Sequence, residues 1–388
     1  MVLEIINFQN AKIRADLKQI LKGQILNVNI FSKKIMYKIH TYASLIFCIP
    51  LVVACFTGSV LVYKDEINNI LMPDTIYIAD SDDKKRLKFD ELREKIEKEY
   101  PHHEIVGWNI DVDPQKTDKI WLLEHGAGEK EWACVYLDAF SGEIKSDLVP
   151  HDSGFIGVIT ELHENLLLEK SGQILLGLTA IFAFIISISG FIVYRNFWTN
   201  LLRLRFARMV VFMSDSHKFI GVFSTPVIFA VALSGAWWEL RFMFMPPFDN
   251  SKFVIGPQIY DKNISIDALV QRAASDMPGF ETHYVSFPFY EGANITLYGQ
   301  KPSQSFLHNQ YSSTVTYDKN SANLIDVKDI ELASKTDKFL STFRRAHYGD
   351  YNAATKFFWF LCGLAPLALS VSGIYLWIKR SNFKRRKR

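Results

Sequence analysis

Residues 40–64 read HTYASLIFCIPLVVACFTGSVLVYK, with His40 at one end, Lys64 at the other and no charged residue between them. A helix needs roughly 20 apolar residues to cross the hydrocarbon core of a bilayer. This stretch is long enough. Three further windows share the property, between Lys170 and Arg195, between Lys218 and Glu239, and between Lys356 and Lys379. Each is rich in Ile, Leu, Val and Phe. One such run fits a buried helix of a soluble protein. Four in 388 residues point to an α-helical membrane protein with four transmembrane helices.

The segments between these runs are of ordinary polarity, so the 49% hydrophobic content averages two kinds of sequence. Of the four cysteines, Cys48, Cys55 and Cys362 lie in apolar runs and only Cys134 in a polar segment. No disulfide framework is expected, and no Cys/His zinc spacing occurs. The first apolar run starts too far in, and is too long, for a cleaved signal peptide. The tail from Lys379, KRSNFKRRKR, is strongly basic. Beside a span such a tail reads as an anchor to the inner leaflet, so no nucleic-acid partner is expected.

Lys and Arg in short flanks set membrane orientation. Lys12, Arg14, Lys18, Lys22, Lys33, Lys34 and Lys38 precede the first span, and Arg195, Arg203, Arg205 and Arg208 lie between the second and third. These regions and the tail should be cytoplasmic, with both termini inside and the two long polar segments outside. The expected division is a leader 1–39, spans 40–64 and 166–194, a loop 195–216, spans 217–240 and 347–378, and a tail 379–388. Outer segments 65–165 and 241–346 separate the spans of each pair. The leader has an amphipathic stretch, IINFQNAKIRADLKQILKGQIL, which suits the inner membrane surface as well as it suits a solvated tail.

The chain repeats. The first span holds Thr57-Gly58 and the third Ser234-Gly235; His40 and His217 each precede their glycine by 18 residues. The second span holds Ser189-Gly190 and the fourth Ser372-Gly373, with His163 and His347 preceding by 27 and 26 residues. Small pairs of this kind let helix backbones approach closely in a membrane. In the outer segments, FDELREKIEKEYPHHEIVGWNIDV parallels SIDALVQRAASDMPGFETHYVSFP: a helix, a break at Pro101 or Pro278, then a strand. Alternating strands follow (KIWLLEH and WACVYLD; ANITLYG and STVTYD), with turns at Asp138 to Gly142 and Asp318 to Ser321. The expected architecture is two tandem repeats of span, small α+β outer domain, span, related by an axis along the membrane normal.

Among ten histidines, four occupy matching positions: His40, His163, His217 and His347. The others (His102, His103, His125, His151, His283 and His308) have no repeat partner and read as solvated or locally bonded. His40 and His217 should sit at the cytoplasmic ends of their helices. His163 and His347 should extend their helices outward, to or above the outer membrane surface. Two neutral imidazoles on opposite faces fill both axial positions of a heme and favour electron transfer over ligand binding. The expectation is an inner heme on His40 and His217 and an outer one on His163 and His347. Metal transfer and proton relay are the rival readings, though the spans are poor in carboxylates. Arg344 and Arg345 are candidates for heme propionate contacts, an outward cationic rim being the alternative. Trp237, Trp238, Trp359 and Trp377 suit either an interfacial belt or the walls of a heme slot.

Four stretches carry a family resemblance: IHTYASLIFCIPLVVACFTGSVLVYKDEIN, ELHENLLLEKSGQILLGLTAIFAFIISISGFIVYR, HKFIGVFSTPVIFAVALSGAWWE and AHYGDYNAATKFFWFLCGLAPLALSVSGIYLWIKR. Together they resemble the PepSY-associated transmembrane family, over nearly everything after residue 35. The resemblance implies PepSY-like periplasmic domains, a bacterial inner-membrane location and two b-type hemes on the four histidines. It also implies reduction of a periplasmic ferric siderophore with release of ferrous iron. The sequence carries no GxGxxG, P-loop or flavin signature, so a quinol or a separate membrane donor should supply the electrons. Two other classes stand beside this: a non-enzymatic PepSY-type module that binds peptides or proteases, and a siderophore or iron permease.

Overall fold

The computed structural model describes residues 32–78, 85–127, 131–194, 201–244 and 253–386. The amphipathic leader reading, Arg195 and the last two tail residues lie outside the described residues. Four helices are long and apolar enough to cross a membrane: α1 (Lys33–Leu61), α6 (Glu169–Val193), α7 (Met209–Phe244) and α10 (Ala353–Arg386). They pack in a closed ring, α1 on α6, α6 on α7, α7 on α10 and α10 on α1, so that α1 and α7 face each other across its centre.

Between α1 and α6 come α2 (Lys64–Leu71), α3 (Pro73–Ile76), α4 (Phe89–Glu99), strands β1 (His103–Asn109), β2 (Asp118–Glu124), β3 (Gly126–Ala127), β4 (Ala133–Leu137) and β5 (Val149–Pro150), and α5 (Gly154–Asn165). Between α7 and α10 come β6 (Val254–Ile255), α8 (Ile266–Asp276), β7 (Glu281–Ser286), β8 (Ile295–Gln300), β9 (Ser313–Tyr317), β10 (Leu324–Lys328) and α9 (Lys335–Tyr348).

The expectation of two separate outer domains is corrected. Eight strands form one antiparallel sheet, in the order β10-β9-β8-β7-β1-β2-β4-β5. The halves join where β1 pairs with β7, through Gly107–Ser286, Trp108–Val285 and Asn109–Tyr284. HEIVGWN and ETHYVS carry neither the proline nor the lysine that blunts a free edge, and each covers the other's unpaired backbone. Gly107 leaves room at this seam for Tyr284, whose hydroxyl a Cβ there would meet.

Helices α4 and α8 cover one face of the sheet. Leu92, Ile96, Trp108, Ile120, Leu269, Val285, Leu297 and Val315 share one core that spans both halves. The two helices cap each other. Asp267 accepts from the Phe89 and Asp90 N–H groups (3.1 and 3.0 Å), and Asp90 accepts from the Ile266 N–H (2.8 Å) and the Ser265 hydroxyl. A carboxylate at a helix N-terminus satisfies N–H groups that have no partner within the helix. Here each satisfies the other helix's.

The helix ends also differ from expectation. His40 and His217 do not end their helices: α1 begins at Lys33 and α7 at Met209, about two turns earlier. His163 and His347 do not extend α6 and α10. They lie on the separate helices α5 and α9, which end before the spans begin. The α5–α6 break runs through Leu166, Leu167 and Glu169, all at positive φ. Gly349, also at positive φ, ends α9. Leucine in the left-handed region costs roughly 1 kcal/mol or more, so the sequence gives no warning of the first break.

Candidate functional site

The four histidines meet in two pairs. The rings of His40 and His217 face each other across the bundle with centroids 6.3 Å apart. Those of His163 and His347 stand 6.1 Å apart. A metal between two imidazoles takes each Nε2 at about 2 Å, and each ring centre lies about 1 Å further out, so two axial rings stand roughly 6 Å apart.

Each ring is held by a neighbouring helix in the same way. His40 of α1 places Nδ1 3.1 Å from the Ile186 carbonyl and 3.3 Å from Ser189 Oγ, both on α6. His217 of α7 places Nδ1 2.9 Å from Ser372 Oγ on α10. His163 of α5 reaches the Ala54 carbonyl (2.9 Å) and Thr57 Oγ1 (3.1 Å) on α1. His347 of α9 reaches Ser234 Oγ on α7, at 2.9 Å.

These partners fix the tautomer. Each hydroxyl already has a carbonyl of its own helix to donate to: Thr57 to Val53 (2.8 Å), Ser189 to Ile186 (3.0 Å), Ser234 to Ala230 (2.8 Å), Ser372 to Ala368 (2.8 Å). With its proton spent there, the oxygen can only accept. The hydrogen-bond network therefore assigns the proton to Nδ1 in all four rings, which leaves Nε2 with a lone pair. None of the four Nε2 atoms makes a hydrogen bond among the described residues. A hydrogen bond at one nitrogen that orients the other is the usual arrangement of a metal-bound imidazole.

The residue after each hydroxyl is a glycine, and each ring rests on it. A Cβ on Gly58 would stand 2.8 Å from His163 Cε1, and one on Gly190 3.0 Å from His40 Cε1. At Gly373 and Gly235 the distances to His217 and His347 are 3.4 and 3.6 Å. The Ser/Thr-Gly pairs are thus cradles for a histidine of the adjacent helix, in addition to being points of close approach. A cradle that a Cβ would fill, a tautomer with a free Nε2 and the ring spacing all fit axial ligation of a heme.

Depth differs from expectation for the outer pair. His163 bonds to Ala54 and Thr57, four to seven residues before the end of α1, about 6–10 Å below it. The pair lies within the bundle and not above it. From His40 to the Ala54–Thr57 shelf along α1 is about 21–26 Å, and the same count separates His217 from the Val231–Ser234 turn of α7.

Arg345 has two of its three guanidinium nitrogens tied to backbone carbonyls. Its Nε donates to the Asp350 carbonyl (2.6 Å) and its Nη1 to the carbonyls of Phe306 (2.8 Å) and His308 (2.9 Å). Arg344 is exposed, with its guanidinium over the rings of Tyr311 (5.1 Å) and Tyr348 (5.6 Å). Tyr311 in turn lies against Tyr284 of β7 and accepts from Asn109 of β1 (3.4 Å). The sheet face opposite the core therefore meets the helix that carries His347.

Trp238 packs on His347, with centroids 4.9 Å apart, while Trp359 donates to the Ala346 carbonyl at 2.7 Å. Trp237 and Trp377 are partly exposed. Of the other histidines, His308 and His283 are buried and not solvated, and His308 takes the bonded alternative, with Nδ1 2.5 Å from Ser341 Oγ.

No curated protein matches the chain. The family model described as PepSY-associated TM region matches residues 37–380, which takes in all four spans, the sheet between them and all four paired histidines. The chain is therefore a membrane protein that belongs to the PepSY-associated TM region family.

Proposed function

We propose that this protein is a membrane reductase holding two b-type hemes, one on His40 and His217 and one on His163 and His347. Its substrate is a ferric siderophore on the sheet side of the membrane. The observation that supports this most is one geometry occurring twice: facing imidazoles about 6 Å apart, each with Nδ1–H held and Nε2 free. In this reading the chain is two tandem repeats, and each repeat gives one histidine to each site. The sheet side is periplasmic and the opposite side cytoplasmic, in a bacterial inner membrane, as the Lys and Arg of the short flanks favour.

When bound, the hemes supply one-electron transfer between the two sides. The chain's own residues do the rest. His40 with His217 and His163 with His347 would offer two imidazoles to each heme, which would suit electron transfer rather than ligand binding. The hydroxyls and glycines of the four cradles hold the rings at fixed depth and tautomer. The sheet face that carries Tyr284 and Tyr298, with Tyr311 and Arg344 beside it, offers hydroxyls and a cation to a polar chelate close to His347. One electron added to the chelated Fe(III) gives Fe(II), a softer ion that hard oxygen donors hold less well, and the iron is released. A quinol or a separate protein supplies that electron from the opposite side.

The test is optical. Protein purified in detergent after heme-replete expression should show an intense Soret band that shifts with dithionite and a sharp α-band. A colourless protein refutes the reading. His40→Ala and His347→Ala should each remove about half of the heme, since each breaks one axial pair. Loss of both hemes in either variant would sink the pair assignment.

A further inference from the structure

The loop between β8 and β9, residues 301–312, is inside out for a loop in water. His308 is 5% exposed and its Nδ1 lies 2.5 Å from Ser341 Oγ of α9. The loop's polar groups are tied down. The Ser305 N–H donates to Glu331 (2.7 Å), Gln304 Nε2 to the Asn309 carbonyl (3.0 Å) and the Tyr311 N–H to Asn309 Oδ1 (2.7 Å). Arg345 clamps the tip through the carbonyls of Phe306 and His308. Yet Phe306 is 70% exposed and Leu307 43%. Single exposed apolar residues are ordinary on a surface. Two adjacent large ones, held outward by a polar brace while a histidine is buried behind them, are what an apolar surrounding would select.

The loop's position says which surrounding. The Phe306 ring is 6.2 Å from Tyr351, and Tyr351 is 6.3 Å from Trp359. Tyr351 stands just before α10 and Trp359 lies in its second turn. Tyr and Trp at the head of a span mark the membrane–water boundary. On the same stretch of α10, Phe357, Phe358 and Leu361 are exposed, as a surface covered by lipid should be. Phe306 and Leu307 prolong that surface past the end of the helix.

We propose that loop 301–312 is seated in the membrane, with Phe306 and Leu307 inserted at the headgroup–acyl boundary of the leaflet on the sheet side. The partner is the lipid surface itself. Apolar side chains gain free energy there in proportion to the area they bury. Because Arg345 ties this loop to the helix that carries His347, the seat also fixes the second half of the sheet at one height above the bundle. The inference rests on the four spans and not on the heme reading.

The test uses the full chain in nanodiscs of phosphatidylcholine and phosphatidylglycerol. A nitroxide is attached at Phe306→Cys and, separately, at Leu307→Cys, with identically treated wild-type protein as the blank for native thiols. Asn320→Cys, in the polar turn at the other end of β9 from the loop, is the water-facing reference. Collisions with oxygen should exceed those with a water-soluble nickel chelate several-fold at 306 and 307, and the order should reverse at 320. Nickel dominating at 306 or 307 as it does at 320 overturns the proposal. Either labelled position alone suffices if the other variant does not fold.

Discussion

A glycine under an imidazole ring decides how near the ring can come to the neighbouring helix, and the four positions are not equally tight. At Gly58 an added Cβ would meet His163 at 2.8 Å, closer than real Cβ contacts are found, and the ring's Nδ1 is anchored to the same helix. Gly58→Ala should therefore displace His163 and, under the heme proposal, lower occupancy of the His163–His347 site. At Gly235 the equivalent distance is 3.6 Å, an ordinary contact, so Gly235→Ala should leave that site filled. Heme content per polypeptide, read from the reduced spectrum, separates the two; equal loss from both would count against the cradle. The serines and threonine beside these glycines were visible in the sequence as small pairs at fixed spacing. Their work as Nδ1 acceptors was not, because the histidine each serves lies on another helix.

Between elements, the reciprocal caps and one buried carboxylate bear on the stability of the sheet. Asp90→Ala removes acceptors from the first turn of α8 and should cost about 1–2 kcal/mol in denaturant unfolding followed by tryptophan fluorescence. Asp267→Ala should do the same for α4. The double variant should lose less than the summed costs, because the two caps share one junction. Glu104 of β1 is buried, and burial pushes its carboxyl up to about 7, with the Lys262 ammonium beside it opposing the shift. The folded state then holds this proton more tightly than the unfolded chain does. Its contribution is complete below pH 4.5, the ordinary value, and is lost as pH rises to about 7. Thermal unfolding of the sheet should therefore shift down across that window, and Glu104→Gln should flatten the dependence. A wild-type profile already flat from pH 4.5 to 7 would contradict it. The paired helices and strands were legible in the sequence from their apolar periodicity and from Pro101 and Pro278. The joining of both halves into one sheet was not, because strand-edge pairing is a contact between residues some 180 positions apart, and periodicity carries no record of it.

At the scale of the whole chain, the spans and the family were readable from sequence, since a bilayer imposes a length and an apolarity that few other structures need. The heights of the outer histidines were not, because the break at Leu166 and Leu167 uses residues that ordinarily continue a helix. One assembly prediction belongs here. Co-expressed fragments split in the loop between α6 and α7 should associate through β1 and β7. Either fragment alone should self-associate or aggregate in light scattering, since each exposes a strand edge. A stable monomeric fragment would rule this out.

The seam and the histidines together describe how the two halves depend on each other. One half holds one imidazole of each facing pair, and it has an open strand edge besides. These are unrelated deficiencies, and the same neighbour makes good both. A change that parts the seam therefore takes a ring from each histidine pair at once, so the two halves stand or fall together.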